Sequence, residues 1–353
     1  MSDENEIINE EQNELYEHYS FTVDKGQSPI RIDRYVTDKI EGASRNRIQN
    51  AADAGWILVN GIAKKCNYKV KPLDKISIVM PYERRGVEII PENIPLDILY
   101  EDDDLLVINK PAGMVVHPGH GNYSGTLVNA LAYHLRGNEN VNLEDERAGL
   151  LVHRIDKDTS GTIVVAKNLE TLKHLAQQFF NHTVQRLYHA LVWGRFDNNE
   201  GTITGNIARC PHDRLRFQVF ADENVGKHAV THYKLIEDLG YVSLVECKLE
   251  TGRTHQIRVH LTHIGHPLFN DERYGGDRIL RGTTFTKYKQ FIHNCFALVP
   301  HHFLHAAVLG FQHPRTKQQM LFEVPMPENM QALIEKWRKY VSNREIEEED
   351  SCI

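Results

Sequence analysis

Residues 151–161 read LVHRIDKDTSG, a charged segment that lies between two apolar runs. Its middle, HRIDKD at 153–158, packs two permanently charged bases and two acids into six residues. A polar loop between buried segments is a common place for a functional site. Charge alone does not choose among Asp145, Asp156 and Asp158 as the functional acid. The TSG that follows also suits an ordinary surface turn.

Outward from this loop, apolar periodicity predicts an α+β domain over residues 96–330. The hairpin-like spacing of its strands indicates a mixed, mostly antiparallel sheet instead of a doubly wound parallel one. Thr254 is expected to cap the helix that contains Arg258. The predicted strands are 105–109, 161–166, 188–193, 241–250 and 320–324, and the predicted helices are 127–135, 169–181, 254–264 and 328–341.

A second, small α+β unit is predicted over residues 21–82. Two short helices, the second capped by Ser44, precede the dipeptide Asn60-Gly61, which is a strong hairpin signal. A segment with two prolines and paired arginines follows at 83–95 and reads as a linker. The acidic N-terminus, 1–20, is expected to be weakly ordered, and 331–353 to form a helix with an acidic tail.

The charge distribution favours nucleic acid as a partner, although the chain carries a net charge of −7. Residues 1–20 hold seven acids and no lysine or arginine, whereas residues 31–85 hold 12 basic and 6 acidic residues. Local charge matters more than the total for binding phosphates. The acidic ends therefore make the net charge negative although the central part of the chain is basic.

Composition also predicts where in the cell the protein is found. The chain has no apolar run long enough to cross a membrane, and its N-terminus lacks a secretory signal. Unpaired cysteine spacing argues against disulfides and a zinc ribbon, so a cytoplasmic location is expected. A monomer is the default expectation. The five cysteines are Cys66, Cys210, Cys247, Cys295 and Cys352.

The charged segment and several further motifs resemble the RluA-type RNA pseudouridine synthases, and most closely their RluD-like subgroup. The motif HRIDKDTSG at 153–161 has Ile155 where that family usually has leucine. Matching motifs follow one another in order over about residues 85–325, so chance agreement is excluded. They are NKPAG at 109–113, VVHP at 115–118, RLYHALV at 186–192, TGRTHQIRVH at 251–260 and LHA at 304–306.

This resemblance implies the catalytic residues Asp156, Tyr188 and Arg258. Asp156 would be the carboxylate that acts near C1′ of a uridine, and Arg258 would pair with it and keep it ionised. Tyr188 would stack on the uracil and take part in the final proton removal at C5. Arg154 would occupy the space of the extruded base. Arg253 and Gln256 would contact the substrate or support the pocket, and Leu304 would form an apolar wall.

The N-terminal unit resembles an S4 RNA-binding domain over about residues 20–80. Leu73-Asp74 stands where that family usually has Gly-Asp, which is expected to alter one turn without abolishing the fold. The alternative is a solvated basic face on a small helical domain. The cations expected to contact phosphates are Arg31, Arg34, Arg45, Arg47, Lys64 and Lys65.

Taken together, these features predict an isomerase that converts uridine to pseudouridine in RNA, most simply 23S ribosomal RNA or a large-subunit assembly intermediate. The reaction consumes no water and involves no redox change, so no metal or organic cofactor is expected. Histidines at 255–266 and 301–305 are discounted as metal ligands, since no cysteine pair supports them. Two alternatives stay open: a non-catalytic RNA-binding factor, and a hydrolase that uses Asp158 as a second acid.

Overall fold

The structure is a computed structural model that describes residues 16–40, 45–53, 55–80, 89–119, 122–136, 151–213, 215–222 and 224–350. The chain divides into two compact units, Met1–Glu88 and Ile89–Ile353. The boundary between the units falls inside the segment that the sequence predicts as a linker. The predicted cap Ser44, the candidate acid Asp145, the paired arginines at 84–85 and Cys352 lie outside the described residues, as does the side chain of Arg47.

The smaller unit is a four-stranded antiparallel sheet packed on two helices, with the strand order β1-β4-β2-β3. Ile32, Tyr35 and Val36 follow the helical spacing i, i+3, i+4 and are buried in one core with Ile48 and Ile76. The elements are β1 (Tyr16–Thr22), α1 (Ile32–Lys39), α2 (Arg45–Asp53), β2 (Ile57–Val59), β3 (Ile62–Ala63) and β4 (Lys75–Met80).

Two tight turns close this small sheet. Asn60 and Gly61 have positive φ angles of 51° and 81° and join β2 to β3, which confirms the predicted hairpin. Leu73 has a φ of 67°, a left-handed conformation that strains a residue with a side chain. Asp74 holds both turns, because its carboxylate accepts hydrogen bonds from Nδ2 of Asn60 at 3.0 Å and from the N–H of Lys71 at 2.8 Å.

The larger unit is built on a ten-stranded sheet in the order β10-β9-β11-β12-β8-β13-β7-β6-β5, with β14 paired to β13. Only the pair of β13 and β7 is parallel within the described sheet, so the predicted mixed, mostly antiparallel α+β class is confirmed. The strands are β5 (Ile98–Glu101), β6 (Leu105–Lys110), β7 (Ser160–Ala166), β8 (Gln185–Trp193), β9 (Glu200–Arg209), β10 (Phe217–Phe220), β11 (Lys227–Asp238), β12 (Val242–Leu249), β13 (Leu304–Gln312) and β14 (Gln319–Glu323).

In the described part of this unit, five helices accompany the sheet: α3 (Leu127–His134), α4 (Leu169–Phe180), α5 (Gln256–His263), α6 (Thr286–Leu298) and α7 (Glu328–Asp350). The C-terminal helix is part of the core, since Leu333 and Trp337 of α7 are buried with Trp193 and Phe269. Among the described residues, no helix combines the length and apolar character that crossing a membrane requires.

The parallel pair β7 and β13 forms a seam beside the segment 151–159. Ser160 faces His305 and Gly161 faces Ala306 across this seam. Gly161 has a φ of 114°, and a Cβ atom there would lie 2.2 Å from the carbonyl oxygen of Ala306. Glycine is therefore required where the charged segment enters the sheet.

The sequence predicted the most apolar elements and missed others. It missed β1, β5, β9, β10, β11, β13 and α6. Residues 16–20, which the sequence assigns to a weakly ordered N-terminus, belong to β1. In β9 and β11 many positions are exposed or half-buried, so hydrophobic alternation is weak, whereas β13 is an almost continuous apolar run that periodicity does not distinguish from a helix. The predicted cap at Thr254 is wrong: α5 begins at Gln256, and its N-cap residue is His255 with a φ of 55°.

Part of the predicted linker is fixed to the larger unit. Nδ2 of Asn129 donates a hydrogen bond to the carbonyl oxygen of Ile90 at 2.9 Å, and Glu92 accepts one from the N–H of Gly125 at 3.0 Å. These contacts tie residues 90–92 to the start of α3. The described end of the predicted linker is thus a packed segment of the larger unit.

Candidate active site

The loop that carries Asp156 is anchored on both sides. Ile155 is buried in a core cluster with Tyr188 and Leu304. The N–H of Thr159 donates to the carbonyl oxygen of Asp156 at 3.1 Å and closes a turn immediately before β7. Asp156 therefore has a fixed backbone, and its side chain remains 19% exposed.

Arg258, on α5, lies between two carboxylates. Its Nη1 donates to Oδ2 of Asp156 at 2.9 Å, while Nε and Nη2 donate to the two oxygens of Asp271 at 2.8 and 2.9 Å. The Arg258 side chain is 7% exposed and that of Asp271 is 1% exposed. A two-bond pair fixes the plane of a guanidinium group, so Asp271 directs the remaining nitrogen at Asp156.

The carboxyl group of Asp156 is ionised at neutral pH. Burial raises the pKa of this group, but positive charge from His255 and Arg258 outweighs burial and lowers the pKa below its ordinary value. Burial lowers the pKa of His255 itself to about 4, so near neutrality Arg258 supplies the stabilising charge. None of the described residues donates a hydrogen bond to Oδ1 of Asp156, and this oxygen is available to a substrate.

Two neutral histidines flank the carboxylate. Nε2 of His255 lies 3.9 Å from Oδ2 of Asp156, and Nδ1 of His255 lies 2.9 Å from the hydroxyl of Tyr274. That hydroxyl already accepts a backbone N–H, so it donates to Nδ1 and leaves the His255 proton on Nε2. On the other side, Nε2 of His302 lies 3.0 Å from the hydroxyl of Thr159, and burial holds the pKa of His302 well below its usual value.

A cleft of about 500 Å³ opens over Asp156. This is within the range of volumes that hold small ligands. Among the described residues that line it, Asp156 is the one carboxylate, and Asp158 is not among them. The cleft brings together all residues that the sequence predicts for this domain: Asp156, Tyr188, Arg258, Arg154, Arg253, Gln256 and Leu304.

Tyr188 and Leu304 form an apolar wall of the cleft. They lie on the neighbouring strands β8 and β13 and are 7% and 4% exposed. Burial and the charge of Asp156 raise the pKa of the Tyr188 phenol, although Arg186 acts to lower it. The phenol is therefore protonated at neutral pH, and Tyr188 offers a flat ring with a neutral hydroxyl group.

Lys110 supports the loop that carries Asp156 from its buried side. Its Nζ donates to the carbonyl oxygens of Pro111 at 2.7 Å, Met114 at 2.9 Å and Lys157 at 2.9 Å. All three protons of the ammonium group are thus used. Burial lowers the pKa of Lys110 to about 7. Because Lys157 follows Asp156, this one side chain ties the turn 110–114 to the loop that carries Asp156.

Gln256 is a buried support at the start of α5. Its Oε1 accepts hydrogen bonds from the hydroxyl of Thr251 at 2.7 Å and the N–H of Arg253 at 2.9 Å, both in the segment that precedes the helix. Its Nε2 donates to Val230 and Thr231 at 2.9 and 3.0 Å. No polar capacity remains for a substrate. Arg253 lies at the cleft and donates through Nε to the carbonyl oxygen of His228 at 3.1 Å.

Two of the predicted phosphate contacts in the smaller unit share a buried carboxylate. Nε of Arg31 and Nε of Arg45 each lie 3.1 Å from an oxygen of Asp33. The Asp33 side chain is 0% exposed, whereas those of Arg31 and Arg45 are 43% and 57% exposed. Hydrogen bonds from Arg31 hold the pKa of Asp33 far below its usual range. Asp33 therefore orients two cations at the surface.

The remaining predicted cations of this unit have fewer constraints. Arg34 and Lys65 are exposed, and Nζ of Lys64 lies 5.6 Å from the ring centroid of Tyr68. The backbone of Arg47 lies in α2. Arg34 and Lys65 are consequently the simplest positions at which to test phosphate binding.

The histidines near α5 do not converge on one point. Nδ1 of His260 pairs with the hydroxyl of Thr231, and Nδ1 of His266 pairs with the carbonyl oxygen of Trp193. Of the described residues, only Asp102, Asp104 and His313 are grouped closely enough to hold a metal ion. Their ligand atoms already bond to protein groups, so this cluster is a structural network.

The sequence analysis missed three residues at or near the cleft: Asp271, His302 and Arg186. Asp271 lies in a loop with no hydrophobic period, and nothing local links it to Arg258. Arg186 was predictable, since it precedes Tyr188 by two positions and alternate residues of a strand share a face. Both Arg186 and Tyr188 line the cleft.

Comparison with known proteins identifies the family to which this chain belongs. Residues 104–263 match the family model described as RNA pseudouridylate synthase. An RNA pseudouridine synthase of Chlorobaculum parvum is 47% identical over 90% of this chain and 96% of its own length. The Ribosomal large subunit pseudouridine synthase D of Zymomonas mobilis is 40% identical over 89% of this chain and 95% of its own length.

Structural comparison agrees on the fold. The human RNA Pseudouridylate Synthase Domain Containing 4 has a TM-score of 0.51 at 23% identity, over 68% of this chain and 92% of that chain. The sequence relatives carry the family assignment, because their identity is high and nearly the whole of each protein is matched. The chain therefore belongs to the RluA-type family of RNA pseudouridine synthases.

Proposed function

We propose that this chain isomerises uridine to pseudouridine in 23S ribosomal RNA, with Asp156 as the catalytic carboxylate acting on a flipped-out uridine. One observation carries the proposal: a single ionised carboxylate, held by Arg258, lies in a cleft with an aromatic wall. The ribosomal substrate is supported by similarity to proteins named for the large ribosomal subunit. Free rRNA and an assembling large subunit are both candidate forms of it.

The reaction needs one carboxylate next to the sugar. The C1′–N1 bond breaks, the uracil turns, and C5 bonds to C1′ before its proton is lost. Oδ1 of Asp156 can attack C1′, stabilise positive charge there, or remove a proton from C2′. Each route requires the ionised form, which Arg258 maintains. The absence of a second carboxylate among the described lining residues disfavours the hydrolase alternative.

Arg154 and Tyr188 complete the proposed substrate site. Arg154 is exposed and lines the cleft two residues before Asp156, where its guanidinium group can replace the extruded base in the RNA stack. Tyr188 stacks on the uracil in this scheme. Its protonated phenol must lose its own proton before it can accept the one from C5, a loss that the charge of Arg186 favours and the charge of Asp156 opposes.

The smaller unit is proposed to bind structured RNA as an S4-like domain. The cations that Asp33 orients, together with Arg34, Lys64 and Lys65, supply phosphate contacts. Arg34→Ala and Lys65→Ala should each weaken RNA binding and lower the slope of log K against log salt by about 0.7–0.9. An unchanged slope in both variants would count against this role. Asp24→Asn is the control on the same unit.

Asp156→Asn is the direct test of the catalytic proposal. The variant should fold and bind RNA, because Arg258 keeps both bonds to Asp271, yet it should form no pseudouridine. The readout is chemical mapping of pseudouridine in purified 23S rRNA and in isolated large-subunit precursors. Full activity of Asp156→Asn would refute the role of Asp156.

The products separate the remaining alternatives. Free uracil would indicate a hydrolase, and conversion of uridine without a change in mass would indicate an isomerase. Mapping the rRNA of cells with and without the gene identifies the modified uridines. Unchanged maps together with RNA binding would favour the non-catalytic alternative.

A further inference from the structure

Arg186 is a buried cation inside the cleft, and no described carboxylate balances its charge. The residue is 7% exposed on β8. Its Nη2 donates to the carbonyl oxygen of Glu250 at 3.1 Å, and its guanidinium carbon lies 5.5 Å from the ring centroid of Phe179. The Nε of Arg186 is buried without a hydrogen-bond partner among the described residues.

This arrangement differs from that of the other buried arginine of the cleft. Arg258 has two carboxylate partners, whereas Arg186 has one backbone carbonyl oxygen. Burying a charge and leaving a donor unpaired are both unfavourable, so such a group is expected where a ligand supplies the counter-charge. An anion is the ligand chemistry that completes this site.

The surroundings of Arg186 indicate which kind of anion fits. The lining of the cleft that contains Asp156, Tyr188 and Arg186 also includes Phe180, which is 78% exposed. An exposed aromatic ring and a cation in one cleft are the combination that binds single-stranded nucleic acid, through base stacking and phosphate contact. Gly252 provides room, because a Cβ atom at that position would lie 2.8 Å from Nη1 of Arg186.

We propose that Arg186 binds a phosphodiester group that flanks the target uridine, and that Phe180 stacks on the base of that neighbouring nucleotide. This inference rests on the proposed function and extends it from the uridine to the next nucleotide of the strand. The site orients the strand, so that a uridine flipped toward Asp156 enters the cleft in one direction. Arg186 is a binding residue and takes no part in proton transfer.

The test combines protein variants with single neutral phosphates. RNA oligonucleotides centred on a uridine that the wild-type protein converts are made with one methylphosphonate linkage, either 5′ or 3′ of that uridine. Each is measured with the wild type, Arg186→Gln and Arg186→Lys. Gln keeps a donor for the carbonyl oxygen of Glu250, and Lys keeps the charge. Arg195→Gln removes an exposed arginine that does not line the cleft and serves as the control.

At one of the two linkages, methylphosphonate should raise KM of the wild type by about 10- to 100-fold, as expected when a charged contact is lost. Arg186→Gln should raise KM equally on normal RNA and show no further loss at that linkage, while kcat changes less than KM. Arg186→Lys should recover part of the effect. Phe180→Leu should weaken binding when the neighbouring nucleotide has a base and have no effect when that base is absent.

The decisive result is that the losses from Arg186→Gln and from the methylphosphonate linkage do not multiply. A purely structural role of Arg186 would not produce this coupling. Independent, multiplicative losses from Arg186→Gln and methylphosphonate at both linkages would overturn the inference. Misfolding of Arg186→Gln would be detected by thermal unfolding. In that case the coupling to the linkage is measured with Arg186→Lys instead. If the wild type converts no uridine in any RNA, the proposed function fails instead, and the two failures are distinct.

Discussion

Asp271→Asn should destabilise the larger unit far more than Asp156→Asn, although both changes remove a carboxylate from Arg258. Asp271 holds Arg258 with two hydrogen bonds, and both side chains are almost fully buried. Removing one partner of a buried ion pair costs about 3–5 kcal/mol, and Arg258 would be left with the single bond from its Nη1 to Asp156. For a unit of this size that loss corresponds to a fall in Tm of roughly 6–20 °C.

Asp156→Asn leaves that two-bond pair intact and keeps an acceptor for Nη1 of Arg258. Its cost should be about 1 kcal/mol, the net value of one hydrogen bond. The two variants therefore separate stability from chemistry: Asp271→Asn loses most stability, and Asp156→Asn loses most activity. Asp271→Asn should also lower the rate, because Arg258 is no longer directed at Asp156.

Differential scanning calorimetry and pseudouridine formation are the two measurements. Asp277→Asn, an exposed acid in the same loop, is the matched control and should change neither. Equal Tm losses for Asp156→Asn and Asp271→Asn would refute this account of the site.

Further changes probe other parts of the molecule. Leu73→Gly should stabilise the smaller unit by about 0.5–1 kcal/mol in urea unfolding, because the left-handed backbone favours glycine; lower stability would contradict this strain. Lys110→Met should reduce kcat and Tm together, since three carbonyl oxygens lose their donor; an unchanged kcat would remove the proposed support. Burial lowers the pKa of His153 from 6.5 to about 3, so the unfolded chain binds more protons between those values. The free energy of unfolding should therefore fall by about 2 kcal/mol between pH 7 and pH 5 from this group, and His153→Gln should show a smaller fall.

Much of the site could be predicted because its residues occur in long motifs. Asp156, Tyr188, Arg258 and Leu304 each stand in such a motif, and the structure brings all four to one cleft. Asp271 could not be found in this way. Its contact with Arg258 depends on how the loop after α5 folds back, and no periodic pattern encodes that path.

The fold was predictable where hydrophobic patterns are strong. The strands β6 and β7 each contain a buried run of four apolar residues, at 105–108 and 163–166, so their existence followed from composition. The strands β9 to β11 lie toward one end of the sheet, where many side chains face solvent and alternation weakens. The start of α5 was misassigned because its N-cap residue is His255, which has a left-handed backbone and makes no side-chain capping bond.

The position of β13 has a consequence for biosynthesis. This strand, Leu304–Gln312, lies between β7 and β8 in the sheet, although both of those are translated more than a hundred residues earlier. Until β13 has left the ribosome, β7 and β8 of the nascent chain each have one unpaired edge. Such exposed edges invite aggregation. The wall of the cleft that contains Leu304 is also missing until then. A polypeptide released before this point should be both inactive and dependent on chaperones.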